Sequence, residues 1–268
     1  MGEEIHHMNT DKSTNYSSYT YDSPNWLVRF PHRKRNKLVS KAIEYFKPKS
    51  WLDYGAGDGA LINIVNHNFT LPPKIVLYEP NDEMCQQLTE NLNLLADKVN
   101  IITSQAEIVS NKYDLVSAFE VLEHLPLPER MNFYIILSET MSLGGKCLIE
   151  VPIEYGPILL IKEFGRKFFK DRISEYSVKE LFYAVIGKIR DSNNRYDLND
   201  NRTFISPHRG FDLHQLLREL NAIGELKELV RSPFVFLPKI FNQAVLYEFE
   251  ITLLDKSEII SNITKLYP

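Results

Sequence analysis

The sequence predicts an α/β fold: a doubly wound, mostly parallel seven-stranded sheet with helices on both faces. Three observations carry that prediction. A glycine-rich turn, Gly55-Ala56-Gly57-Asp58-Gly59, joins the apolar run ending at Leu52 to a run with Leu61, Ile62, Ile64 and Val65 on one side. Buried-strand runs then alternate with helical patterns along the chain, as a parallel sheet covered on both faces requires. The 268 residues, 44% of them hydrophobic, suffice for one large domain or for a core domain with an insertion.

The elements follow in order. Met1 to Thr20 is polar and lacks an apolar signal core, so 1–20 reads as a mobile tail. Within an N-terminal unit, 21–48, a helix over 35–47 sets Leu38, Val39, Ala42, Ile43 and Phe46 on one side. The main domain spans 49–268. Its first strand runs from Ser50 to Tyr54, and its second is Ile75 to Tyr78, ending at Glu79-Pro80. A helix over Asp82 to Leu95 leads to a third strand, Val99 to Thr103. Tyr113 to Phe119 is the fourth strand, and Leu127, Met131, Tyr134 and Ile135 mark the next helix. Lys146 to Val151, entered through Gly144-Gly145, is the fifth strand. Residues 152–207 break the rhythm and read as an insertion over the sheet's C-terminal edge, where ligands bind in such folds. A helix through Leu213, Leu216, Leu217 and Leu220 and strands over 226–230 and 244–251 finish the sheet.

Composition removes several functions. A net charge of −4 offers no electrostatic case for nucleic-acid binding. Cys85 and Cys147 match no metal or redox spacing, and a reduced, cytoplasmic setting follows. No apolar run approaches ~20 residues, so no spanning helix is expected.

The acids of the glycine loop choose the ligand. Asp53 ends the first strand and Asp58 lies among the glycines. A pyrophosphate here would meet two carboxylates without a nearby cation. The third glycine also comes one residue too early for a dinucleotide pattern, and no Lys-Ser or Lys-Thr follows as in a triphosphate loop. A cationic ligand fits better, and S-adenosylmethionine carries an ammonium, a sulfonium and an adenosine but no phosphate.

Further residues extend the pattern. Glu79 stands 26 residues after Asp53, where an acid can accept from both ribose hydroxyls. Gln105-Ala106-Glu107 follows the third strand, and Phe119-Glu120-Val121-Leu122-Glu123-His124 ends the fourth. With Leu143-Gly144-Gly145, these occur in the order and approximate spacing of the class I S-adenosylmethionine-dependent methyltransferases, which the chain resembles over about 50–152 and more weakly to 252. The resemblance implies that Asp53, Gly55, Ala56 and Gly57 hold the methionine portion. It places Glu79, followed by Pro80, at the ribose and Ala106 and Glu107 at the adenine edge. Phe119 and Glu120 would line the cofactor near its sulfonium.

Glu120-x-x-Glu123-His124 also resembles a Glu-x-x-Glu-His motif by which some methyltransferases hold a divalent ion. The Val-Leu-Glu-His run stands equally in metal-free members, so the expectation is a hydrogen-bonded pocket wall and no metal. Only a completed coordination set would change that. His124 is a candidate base for a hydroxyl acceptor, and His208, in Ser206-Pro207-His208-Arg209-Gly210-Phe211, is a second.

Two regions can meet the acceptor. The first is Tyr19 to Arg35, with Tyr21, Trp26, Arg29, Phe30, His32, Arg33 and Arg35; the resemblance makes it an N-terminal helical lid. The second is 157–172, in which five basic residues stand against two acidic ones among Leu159, Leu160, Ile161, Phe164, Phe168 and Phe169. An apolar stripe of this kind serves core packing, a dimer surface or peripheral membrane contact. The expected activity is methyl transfer to a small-molecule, saccharide or lipid-linked acceptor, at oxygen by preference. No DNA partner is expected, because an Asn-Pro-Pro-Tyr-like motif is absent after the fourth strand. The alternatives are a catalytically inactive fold of the same kind used for binding, and a nicotinamide-dependent oxidoreductase.

Overall fold

Leu52, Val76, Tyr78 and Val116 point to one face of the sheet, and Trp51, Ile75, Leu77 and Leu115 to the other. Successive strand residues alternate in direction, so a strand buried on both faces must be apolar throughout. The computed structural model describes residues 26–169, 176–191 and 193–267. The predicted tail, 1–20, with Tyr19 and Tyr21 of the lid region, lies outside them.

The helix α1 (Trp26–Phe46) comes first, followed by β1 (Ser50–Tyr54), α2 (Ala60–Asn68), β2 (Lys74–Tyr78) and α3 (Asp82–Asn91). Then come β3 (Val99–Ile102), α4 (Gln105–Ile108), β4 (Tyr113–Phe119), α5 (Leu127–Thr140) and β5 (Met141–Pro152). The insertion contributes α6 (Ile158–Phe169) and α7 (Val178–Val185). The chain closes with α8 (Leu213–Ile223), β6 (Gly224–Ser232), β7 (Ala244–Ile251) and α9 (Lys256–Thr264).

The seven strands lie in the order β3-β2-β1-β4-β5-β7-β6. β1 pairs in parallel with β2 and β4, β2 with β3, and β4 with β5. β7 is antiparallel to both β5 and β6, so the sheet is mixed at that end. Winding reverses between β1 and β4, which leaves a crevice over their C-terminal ends. Val39, Ile43, Ile62, Val65 and Leu88 of α1 to α3 pack on one face. Phe133 and Leu137 of α5, Leu216 and Leu220 of α8, and Ile259 and Ile263 of α9 pack on the other.

Three elements differ from expectation. β5 begins at Met141 rather than Lys146, because Tyr113 pairs with Met141 before an irregularity lets Leu115 pair with Lys146. α1 extends well ahead of residue 35. The C-terminal α9 was not foreseen; Asp255 caps it by accepting from the Glu258 amide at 2.9 Å.

The 157–172 stripe divides. Ile158 and Leu159 are buried, Leu159 against Tyr176 and Ala184, while Leu160 and Phe164 are exposed. Lys162 turns inward and donates to Glu154 at 2.8 Å. Residues 170–172 lie outside the described residues.

A buried ion pair joins α5 to α8. Arg130 donates to both carboxylate oxygens of Glu219, at 2.9 and 3.0 Å, and the Tyr134 hydroxyl donates to the same group at 2.7 Å. Removing one partner strands the other charge in a dry interior. Glu219→Gln is expected to lower unfolding free energy by about 3 kcal/mol in a urea titration; an unchanged midpoint would show that the pair adds nothing.

Candidate functional site

The glycine loop is fastened to the neighbouring strand. The amides of Gly55 and Ala56 donate to the Tyr78 carbonyl at 2.8 and 3.0 Å. Gly57 N–H donates to Glu79 Oε2 and Asn81 N–H to Glu79 Oε1, both at 2.9 Å. Glu79 thus ties the β1 loop to the β2 loop, with further lone pairs left for a ligand. Pro80 is exposed and leads into the Asn81 cap of α3.

Two of the glycines serve different ends. A Cβ on Gly55 would lie 2.6 Å from Cγ2 of Val121, so this glycine lets the loops after β1 and β4 nest. Gly57 has φ +58° and open space where its Cβ would stand. Among the described residues no packing requires a glycine there, but close approach of a ligand would.

Asp53 is buried beneath the loop. Ser117 Oγ donates to its Oδ1 at 2.5 Å and itself accepts from the Trp51 indole N–H at 2.7 Å. Burial pushes the Asp53 carboxyl up to about 7; the Ser117 hydrogen bond opposes the shift and the Glu79 charge adds to it. Burial also raises Glu79, against the Asn81 and Gly57 amides. Asp58 Oδ1 accepts from the Ala60 amide at 3.1 Å, within the first turn of α2.

Ala106 and Glu107 are exposed at the start of α4, where Ser104 accepts from the Ala106 amide at 3.3 Å. Ahead of them, Gln105 donates to the Tyr54 hydroxyl at 3.0 Å, which holds α4 near the end of β1. Ala56 and Phe119 pack against the α1–α3 side of the core. Glu120 turns the chain out of β4 with φ +57°, an uncommon value for a residue with a side chain.

Beyond Glu120 the site becomes acidic. Arg35 of α1 lies 3.1 Å from Glu120 and 3.5 Å from Glu150, so this helix sends one cation onto two carboxylates. Arg33 and Phe30 are exposed; the side chains of Trp26, Arg29 and His32 lie outside the described residues. Burial pushes Glu150 up to about 8, with Arg35 opposing. Glu123 is fully buried and raised well above the ordinary carboxylate range, first by burial and then by Glu120. Among the described residues, neither of its carboxylate oxygens has a hydrogen-bond partner.

His124 and His208 come together. Their Nε2 atoms are 3.1 Å apart. His124 Nδ1 lies 2.9 Å from the Ile205 carbonyl oxygen, and His208 Nδ1 lies 3.3 Å from Glu154 Oε1. Burial, then the neighbouring His208, lowers the His124 imidazole to about 4. Burial alone would raise Glu154, but Lys162 and His208 outweigh it and hold the carboxyl far below the usual range. Glu123, His124 and His208 bring one metal-ligand type atom each within 4.8 Å of one another. They are residues on this face that can hold a metal ion.

The insertion supplies residues that sequence patterns did not single out. Arg195, fully buried, donates to the carbonyl of Glu123 and, at 2.9 Å, to those of Pro207 and Arg209. Glu154 and Lys162 set His208. The available signal was the run Glu150-Val151-Pro152-Ile153-Glu154, which puts two acids at a strand end.

A family model described as a methyltransferase domain matches residues 29–222, more than half of the chain. No curated protein matches the sequence. The chain is similar in fold to the methyltransferase domain of bacterial CtHen1 in a form designated CN. The TM-score is 0.53 at 12% identity, covering 82% of this chain and 98% of that one. A second form, CtHen1-C, gives 0.50 at 13% identity, covering 82% and 97%. These likenesses concern fold. With the family match they leave no place for a nicotinamide-dependent reading of the loop. The chain belongs to the methyltransferase domain family, as a class I member whose cofactor is S-adenosylmethionine.

Proposed function

We propose that the protein transfers a methyl group from S-adenosylmethionine to an oxygen of a small-molecule, saccharide or lipid-linked acceptor, in a cytoplasmic setting. One observation carries the reading: the open space over Gly57, bounded by the buried acids Asp53 and Glu79, at the crevice where the sheet reverses. Among the described residues no cation pairs with either acid, and burial raises both, which suits a cationic ligand. When bound, the cofactor supplies an electrophilic methyl carbon, whose bond to sulfur breaks as a bond to the acceptor oxygen forms.

The chain's residues bind and orient. Asp53 with the Gly55-Ala56-Gly57 backbone takes the methionine portion, and Glu79, with the turn at Pro80, takes the ribose. Ala106 and Glu107 take the adenine edge. Phe119 and Glu120 line the space toward the acceptor. Alignment of nucleophile and methyl, with water kept out, is most of what such a displacement needs. The acceptor side falls to His124 and His208, acting as a pair because their Nε2 atoms converge. Among the described residues, no helix is long and apolar enough to cross a membrane. Contact of 157–172 with a membrane surface would rest on the exposed Leu160 and Phe164.

Gly57→Ala tests the cradle. A methyl group there meets no protein atom, so the fold should lose only about 1 kcal/mol for the left-handed backbone. Calorimetric affinity for S-adenosylmethionine should fall at least tenfold; unchanged affinity would displace the cofactor from this loop. The acceptor class is tested with isotope-labelled donor and a panel of phenols, saccharides and lipid-linked sugars. Label recovered only on nitrogen compounds would remove the oxygen preference.

Asp53 sets a pH dependence. Its free carboxyl titrates at about 7, and a bound ammonium would depress that value. Donor affinity should therefore be full above about pH 7 and fall, by up to tenfold per unit, as the pH drops below it. Asp53→Asn should flatten that acid limb. A wild-type affinity constant from pH 5.5 to 7 would separate Asp53 from the ligand.

A further inference from the structure

We propose that the hollow between α7 and the segment following His208 is an oxyanion subsite, which takes a phosphate or carboxylate group carried by the acceptor. Anion binding stands on the residues of the hollow alone; the assignment of that anion to an acceptor rests on the methyltransferase reading.

The hollow is lined by Glu154, Tyr176, Tyr183, Lys188, Arg190 and Arg209, with about 290 Å³ of empty space counted out to solvent. That is close to the lower end for small-ligand sites. Local structure brings the cations together. On α7, Glu180, Tyr183 and Ala184 stand three and four residues apart and share one face. The chain turns back after the helix, where the Lys188 amide donates to the Tyr183 carbonyl at 2.8 Å, and Lys188 and Arg190 return beside that face. The Arg190 guanidinium lies 4.5 Å from the centre of the Tyr183 ring, a contact that limits its freedom. From the opposite side, Gly210 lets the chain after Arg209 come close, since a Cβ there would meet the Arg190 carbonyl oxygen at 3.2 Å. The Arg209 carbonyl accepts from the Asn193 side chain at 2.7 Å and from Arg195 at 2.9 Å, which fixes the backbone under its guanidinium.

Charge decides what fits. The chain carries a net charge of −4, yet three cations line this hollow. The two carboxylates on its wall are already engaged. Glu154 accepts from Lys162 at 2.8 Å. Glu180 accepts from the amide and hydroxyl of Ser177, at 2.9 and 2.8 Å, and lies 3.8 Å from Arg209. Asp191, next to Arg190, accepts from the Asn193 amide at 3.0 Å. Among the described residues, no carboxylate pairs with Lys188 or Arg190. Ammonium and guanidinium groups offer only donors and positive charge, and a guanidinium fork matches two oxygens of a phosphate or carboxylate. A neutral hydroxyl uses neither the charge nor the fork.

The hollow adjoins the acceptor side. Arg209 follows His208 in sequence, and Glu154 both lines the hollow and lies 3.3 Å from Nδ1 of His208. An acceptor held here by its anion brings a hydroxyl to the histidine pair when the two groups are a few bonds apart, as in a sugar phosphate or a uronic acid. Holding a group that does not react is a direct way to orient the one that does.

The test uses the whole chain without S-adenosylmethionine, in calorimetry against glucose 6-phosphate, glucuronate and glucose. The charged sugars should saturate at one equivalent, and glucose should bind about tenfold more weakly or less. The tighter of the two charged sugars identifies the anion as phosphate or carboxylate. Lys188→Gln and Arg190→Gln should each weaken the charged sugars about tenfold, with circular dichroism showing that the variants fold. Lys179→Gln, on α7 but outside the hollow, should leave their binding unchanged. Failure of both charged sugars to saturate, or equal binding of glucose, would overturn the subsite. An equal loss in Lys179→Gln would also overturn it, leaving a diffuse basic surface. With an anionic acceptor and labelled donor, Arg190→Gln should raise KM more than it lowers kcat; label confined to neutral acceptors would remove the anion from the acceptor. Donor calorimetry on the same samples separates the two readings. Charged sugars bound without donor affinity would sink the methyl-transfer reading alone, and donor affinity without them would sink this one alone.

Discussion

Carboxylates buried at one end of a sheet must each find a counter-charge or a hydrogen-bond donor, and here the supply is uneven. Asp53, Glu79, Glu123, Glu150 and Glu154 are all buried. Glu154 has Lys162, Glu150 shares Arg35 with Glu120, and Glu79 has two backbone amides. Among the described residues, Asp53 has the Ser117 hydroxyl, and the Glu123 carboxylate has no hydrogen-bond partner. An uncompensated buried charge is expensive in any fold. The deficit falls at two points, one under the glycine loop and one beside the histidine pair. The first is the point at which a positively charged methyl donor is proposed to bind.

The compensating cations come from outside the strands. Arg35 arrives on α1, Lys162 on α6 and Arg195 from the irregular stretch before α8. Each ties a peripheral element to the same edge of the sheet. The insertion is therefore part of the site's construction. Ile205 donates its amide to the His124 carbonyl at 2.8 Å, and Arg195 accepts from the Leu127 amide at 2.8 Å, so the loop after β4 is stitched to it along its length. A change in the insertion would be felt at His124 through these bonds, without touching a ligand.

Much of the fold could be read from residue patterns because the relevant interactions are local. Apolar runs such as Ile75 to Tyr78 have few alternatives to a buried strand, and the glycine loop announces its turn. α9 was missed because its apolar residues, Ile259 and Ile263, are few and its pattern is weak until α5 and α8 provide a groove. The start of β5 was missed because its pairing with β4 is interrupted. The glycine turn and the position of Glu79 just after β2 were legible for the same local reason. The convergence of His124 and His208 was not, since 84 residues separate them and only the returning insertion closes the gap. The bond from the Ala60 amide to Asp58 was not legible, because a carboxylate among glycines looks the same in sequence whether or not it meets a helix amide.

The contact between Gly55 and Val121 shows how the separate pieces are kept in register. β1 and β4 are parallel neighbours, so the loops that follow them leave the same edge of the sheet side by side. Gly55 removes a Cβ at the one place where Val121 needs room. That nesting fixes the cofactor loop against the segment carrying Glu120, Glu123 and His124. Any side chain at Gly55 would push the two loops apart, and the displacement would pass to both deficits of charge together. The spacing between the loop proposed for the methyl donor and the segment carrying His124 is thus set by packing. It need not be gathered from solvent by the ligands themselves, which is the preorganisation an in-line transfer demands.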